Sequence, residues 1–228
     1  MIESQNSPSD LYGAVRDELL ATLRSLSRAE DDVTVPSCPA WTVKDAVAHL
    51  CGLNAELLAD IPGSLGSADA TARQVADRSS LNLGQVLDEW SSMSDAIDKR
   101  FRMDDDKARA LLADLVVHVY DLEEVLRQQT SAAAVATPIS AHRYVPLLQH
   151  RVADKVRMAL TVALNDGTIW PPTTTDGMTE ISVSTSPHDF LRAVTGRKLR
   201  SEVEAFDWSK DPVAILDHAW NQYGPFRK

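Results

Sequence analysis

The chain has 228 residues, enough for one large domain or two small ones. Apolar residues make up 44% and charged residues 25%, an ordinary globular balance, and 33 acidic against 23 basic residues give a net charge of -10. That excess, without a single basic run, argues against a nucleic-acid partner held through phosphates, and no apolar run approaches the roughly 18 residues of a membrane span. The first residues lack the charged and apolar regions of a signal peptide, and two cysteines, Cys38 and Cys51, are too few for a disulfide framework. A cytoplasmic location is therefore expected.

In chain order, Leu11, Val15, Leu19, Leu23 and Leu26 recur at helical spacing and predict an amphipathic helix over about residues 9–29, with Ser9 as its N-cap. Residues 31–36 read as extended, and residues 37–41 as a compact loop. Thr42 caps the next helix, with Asp45 at the capping-box position. That helix, over about residues 43–60, presents Ala46, Leu50, Leu53 and Leu57 as its apolar face. His49 stands four residues after Asp45, and the small Cys51 and Gly52 would let another helix approach closely. Residues 61–80, rich in small and polar types, read as a long loop with a helical turn near 72–76. A loop of that length inside a compact domain is often functional. A third helix is predicted over about residues 81–102, carrying Val86, Trp90, Met93 and Ile97. Asp104, Asp105 and Asp106 put negative charge at the start of a fourth, over about residues 105–129, where the helix dipole favours it. Four helices in about 120 residues, each with one apolar face, suggest an up-and-down bundle.

Residues 130–140 resemble a linker in composition. Beyond them residues 141–165 read as a helix, residues 168–170 and 180–185 as short strands, and Ser184 or Ser186 as the cap of a helix holding Phe190, Leu191 and Val194. Two short helical pieces, over 203–206 and 213–223, follow. The expected class is thus α+β, mostly helical: an N-terminal four-helix bundle over 1–130 and a small C-terminal α+β domain over 140–228.

The residues that carry chemistry lie on the fourth helix. Asp114, His118 and Asp121 are spaced i, i+4, i+7 and fall on one narrow stripe beside Leu111, Leu115, Val119, Leu122 and Leu126. Two carboxylates and an imidazole at the border of a core-facing surface need a partner, because unpaired charge there is costly. A divalent metal is one candidate and a hydrogen-bonded core network is the other. For a metal, Asp114 and His118 chelate from one helix face and His49, mid-helix elsewhere in the bundle, is the best third ligand. Two imidazoles and a carboxylate leave a position open on zinc. Asp45 and Asp121 then serve as acceptors that fix the histidine tautomers. Cys51 lies about 200° round the helix from His49 and should not face the same ion. Cys38 reads as a packed small residue, and Trp41, Trp90 and Trp208 as core.

Pro36, Cys38, Pro39, Trp41, Thr42, Asp45 and His49, in that spacing, resemble the opening block of the mycothiol-dependent maleylpyruvate isomerase family, relatives of the DinB-like metal-dependent four-helix bundles. The helix from Asp114 to Asp121 matches a second block, although the family usually has Glu where Asp114 stands, one methylene longer. Phe190, Gly196, Arg197, Trp208 and a closing Gly224-Pro225-Phe226 look like the family's C-terminal α+β domain. The resemblance implies zinc or a similar divalent metal on His49, Asp114 and His118, with mycothiol or a similar low-molecular-weight thiol as cofactor or co-substrate. It also implies a metal-bound thiolate as nucleophile, in an isomerase or S-transferase acting on a small molecule. Arg78, in the long loop, and Arg197 are the residues nominated for an acidic substrate. Two other readings use the same residues. One is a metal-dependent hydrolase with zinc-bound water; the other is a non-catalytic metal- or ligand-binding regulatory protein.

Overall fold

A computed structural model of the protein describes residues 7–26, 31–63, 66–220 and 225–227. Two compact units divide the chain, Met1–Ala136 and Thr137–Lys228.

The first unit opens with α1 (Pro8–Arg24). Its cap is Ser7 and not Ser9, because Pro8 fits the first helical position and Asp10 closes a capping box with Ser7. The end expected for this helix falls in residues 27–30, outside the described residues. Next come β1 (Thr34–Val35) and β2 (Cys38–Thr42), an antiparallel hairpin, so the expected loop over 37–41 is largely strand. Then follow α2 (Val43–Leu58), α3 (Ala68–Ala76), α4 (Leu83–Ser92), α5 (Ser94–Phe101) and α6 (Asp105–Leu126). α1 packs on α6, and α2 on α3 and α4. Tyr12, Leu19, Leu50, Trp90, Leu111 and Leu115 are fully buried between them.

Three expectations for this unit change. The long loop contains α3, a regular helix capped by Ser67, whose Oγ accepts from Ala70 N. The single third helix is broken at Met93 into α4 and α5. Just before the break the Ser92 hydroxyl donates to Glu89 O at 2.6 Å, the local competition by which serine weakens a helix interior. The expected linker over 130–140 is the start of α7 (Ser131–Val156). Its Ala-rich opening has high helix propensity, and its N-terminus is capped from a distance by Glu18 on α1. That carboxylate accepts from Ser131 N at 2.9 Å and Ala132 N at 2.8 Å. Burial alone would raise the Glu18 carboxyl, but these donors outweigh it and hold it below the usual carboxylate range.

In the second unit the expected helix over 141–165 stops at Val156. Arg157 takes a left-handed φ of 52°, and β3 (Met158–Leu164) begins. Met, Ala and Leu fit either period, and the strand shows itself in the burial alternation around Leu160, Val162 and Leu164. β4 (Ile169–Trp170), β5 (Thr179–Thr185), α8 (Pro187–Val194), α9 (Arg200–Glu204), β6 (Asp207–Trp208) and α10 (Val213–His218) complete the unit. The sheet order is β4-β3-β5-β6, with β3 and β5 parallel and in register from Met158↔Thr179 to Leu164↔Thr185. β4 and β6 add antiparallel edges. Phe190, Leu191, Val203 and Trp220 are fully buried in this unit. Ser186 caps α8, and the expected closing motif at Gly224 lies outside the described residues. The whole is α+β and mostly helical, as the sequence predicts. Among the described residues no helix is long and apolar enough to cross a membrane.

Candidate metal centre

Two helix starts fix the register of the site. Thr42 and Asp45 form a complete capping box on α2, which places His49 in its second turn. Asp104 accepts from Lys107 N at the start of α6, and the stripe of Asp114, His118 and Asp121 follows on that helix. The three residues nominated as ligands come together: donor atoms of His49, Asp114 and His118 all lie within 4.8 Å of one another. His49 Nε2 is 3.3 Å from Asp114 Oδ2, and His118 Nε2 is 4.0 Å from Asp114 Oδ1. Both imidazoles are buried, whereas the Asp114 side chain keeps 33% of its exposure and opens the centre on one side. Trp41, expected in the core, is half-buried and lies against both rings, 5.2 Å from His49 and 5.6 Å from His118 between centroids.

An outer partner decides the His49 tautomer. His49 Nδ1 is 2.8 Å from Gln74 Oε1, and the Gln74 amide nitrogen donates to Glu56 Oε2 at 2.7 Å. A carboxylate only accepts, so the amide orientation follows from the network, and Gln74 Oε1 must accept from His49 Nδ1–H. Arg73 Nε in turn donates to Glu56 Oε1 at 2.7 Å. Burial pushes the Glu56 carboxyl up, but the bonds from Arg73 and Gln74 prevail and hold it below the usual carboxylate range. His118 Nδ1 lies 3.1 Å from Oδ2 of the fully buried Asp121, at ion-pair distance though not on the line of a ring hydrogen bond. With the His49 proton held on Nδ1, its Nε2 lone pair turns toward the Asp114 carboxylate, which His118 Nε2 also faces. A nitrogen lone pair and a carboxylate oxygen 3.3 Å apart repel unless a cation or an added proton lies between them. This donor set, two imidazoles and one carboxylate with a half-open side, fits a divalent metal.

The other nominated residues fall elsewhere. Asp45 Oδ2 accepts from Thr42 N and Thr42 Oγ1 in the capping box, and the place expected for it beside His49 is taken by Gln74. Gln74 was hidden from the sequence because α3 lies in a stretch read as loop. The signal available was Gly52. A Cβ there would sit 2.6 Å from Gln74 Cβ and 2.8 Å from Arg78 Nη1, so glycine is what lets α3 close on α2. Arg78, nominated for an acidic substrate, is buried and doubly bound to Glu89 (Nε–Oε2 3.1 Å, Nη2–Oε1 2.5 Å), with Nη1 donating to Gln74 O. It braces the Gln74 backbone. Arg197 is half-buried in the second unit and donates to Thr195 O at 2.6 Å.

The two cysteines differ sharply. Cys38 is half-buried on β2, and its thiol donates to Asp121 Oδ2 at 3.5 Å. Cys51 is fully buried and burial pushes its thiol up to about 12. At pH 8 iodoacetamide is therefore expected to label Cys38 alone in the folded protein, with Cys51 reacting only on denaturation. Peptide mass mapping checks this, and equal labelling of both in the native state would contradict the placement of Cys51.

Comparison with known proteins agrees with this architecture. Two solved structures match, a mycothiol-dependent maleylpyruvate isomerase and a point variant of a mycothiol-dependent maleylpyruvate isomerase, at 15% and 16% identity with TM-scores of 0.50 and 0.52. In each case 88% of this chain and 92% of the other are covered, which at such identity speaks for the fold. No curated protein matches the chain. Residues 12–153, more than half of the chain, match the family described as the mycothiol maleylpyruvate isomerase N-terminal domain, and the protein belongs to that family.

Proposed function

We propose that this protein is a divalent-metal enzyme that uses a low-molecular-weight thiol, mycothiol or a close analogue, to isomerise or S-transfer to a small acidic substrate of the maleylpyruvate type. The observation that carries the reading is the convergence of His49, Asp114 and His118 donor atoms within 4.8 Å of one another, with His49 Nε2 3.3 Å from Asp114 Oδ2. His49, Asp114 and His118 would hold the ion, zinc being the divalent metal that suits two imidazoles and a carboxylate best. When bound, such an ion supplies a positive charge that favours loss of the proton from a thiol at its open position.

The chain's own residues prepare that position. Gln74 fixes the orientation of the His49 ring, so that this imidazole needs no reorganisation when the ion arrives, and Asp121 sets a negative charge beside His118. Trp41 lies against both rings and shields one side from water, which strengthens the electrostatics within. Asp114 stands one methylene shorter than the glutamate the family resemblance leads one to expect, yet its Oδ2 reaches within 3.3 Å of His49 Nε2. Its partly exposed side is where thiol and substrate would enter. With Arg78 committed to Glu89, Arg197 is the remaining nominee for a substrate carboxylate, on the resemblance. A cytoplasmic location and the DinB-type bundle belong to the same reading.

Thiol dependence is the test. Maleylpyruvate turnover is expected with mycothiol present and absent without it. Turnover that persists without any thiol would replace the isomerase with a hydrolase using metal-bound water. No turnover in either case, with a ligand-induced rise in melting temperature, would make the protein a binding module.

A further inference from the structure

His118 has two nitrogens, and each faces a different set of donors. Nε2 faces Asp114 and His49. Nδ1 faces Asp121 Oδ2 at 3.1 Å, and the same oxygen lies 3.5 Å from Cys38 Sγ. Donor atoms of Cys38, His118 and Asp121 all lie within 4.8 Å of one another. Around a tetrahedral zinc-like ion the separations between donors are about 3.3 Å for nitrogen to oxygen and about 3.5 Å for sulfur to oxygen, from the usual metal–ligand lengths. Both measured separations are close to these. The donors stand on rigid elements: Asp121 is fully buried on α6, and the β1–β2 hairpin is tied to the same helix by Ser37 Oγ donating to Glu124 Oε1 at 2.7 Å. Cys38, half-buried, leaves a route in from solvent.

We propose that Cys38, Asp121 and Nδ1 of His118 form a second metal position, thiolate-containing and alternative to the first. Binding there releases the Cys38 thiol proton to solvent, and the thiolate, carboxylate and neutral imidazole together balance a divalent charge. His118 serves one position at a time. A neutral imidazole keeps one proton, so when Nδ1 takes the ion that proton moves to Nε2, which then donates toward Asp114 and ceases to be a ligand of the first centre. Thiolate favours soft ions, so the second position selects soft divalent ions of the cadmium type and, when filled, switches the first centre off.

The test uses cobalt(II) as the probe on metal-free full-length protein. His49→Ala removes a ligand belonging to the first position only, and Asp114→Asn is the second variant for the same purpose. Each is expected to bind one equivalent of cobalt with a near-ultraviolet sulfur-to-cobalt charge-transfer band. Adding Cys38→Ser to either should abolish the band, and cobalt should slow alkylation of Cys38 in either single variant by about tenfold or more. Failure of both single variants to bind cobalt, or binding without a sulfur band and without protection of Cys38, overturns the proposal. The two readings fail separately. A wild type that binds cobalt without sulfur, beside single variants that show no sulfur band, leaves the first centre standing and removes the second. A sulfur band in His49→Ala beside a wild type whose affinity is unmoved by losing His49 does the reverse.

Discussion

His118→Ala is expected to lower affinity for zinc by about a hundredfold or more. Structural zinc binds with roughly 10–16 kcal/mol shared over four ligands, so one ligand carries about 3 kcal/mol, near two powers of ten in the binding constant. His118 also faces both donor sets, so its loss removes whichever position the ion uses. Gln74→Ala should act in the same direction but less, about 10- to 100-fold, because it removes the acceptor that holds His49 in its tautomer while the three ligands stay. Competition against a chromophoric chelator measures both. The order matters more than the values. If Gln74→Ala matches wild type while melting is unchanged, the hydrogen bond does not position His49. If His118→Ala matches wild type, the ion is held elsewhere.

Removing the Glu89 carboxylate as Glu89→Ala should destabilise the fold by about 2–3 kcal/mol and lower the melting temperature by about 5–10 °C. Arg78 is buried, and its guanidinium would be left without its main counter-charge. A fully buried pair broken from one side costs about 3–5 kcal/mol, and the 34% exposure of the Glu89 side chain lowers that through solvent screening. The effect should be on stability, with metal affinity falling only as far as Gln74, whose carbonyl Arg78 holds, is released. A variant that melts like wild type but loses substrate affinity would return Arg78 to a role in substrate binding.

What could be read from the sequence follows how local each signal is. The capping box at Thr42 and Asp45 and the spacing on α6 are local, and they place His49, Asp114 and His118 in the right turns of the right helices. Gly52 was readable as a point of close approach, though not what approaches. The rest depends on partners distant in sequence. α7 begins where it does because Glu18, on α1, caps it, and no feature of residues 130–140 carries that information. Gln74 and Glu56 form one relay only because α3 folds back on α2. Arg78 read as a loop cation for an acidic substrate because Glu89, its partner on α4, lies outside that stretch of sequence. The segment 158–164 failed for a different reason: Met, Ala and Leu satisfy helical and strand periods alike, and the parallel pairing with β5 decides between them.

If His49, Asp114 and His118 hold a divalent ion, the metal content of the purified protein shows it. Protein purified without added metal or affinity tag should contain about one equivalent of zinc or a similar ion by elemental analysis, strongly depleted in His118→Ala and in the double variant His49→Ala/Cys38→Ser. A folded wild type that carries no metal, even after zinc is supplied, would contradict the account and leave the imidazoles and Asp114 as a buried polar network.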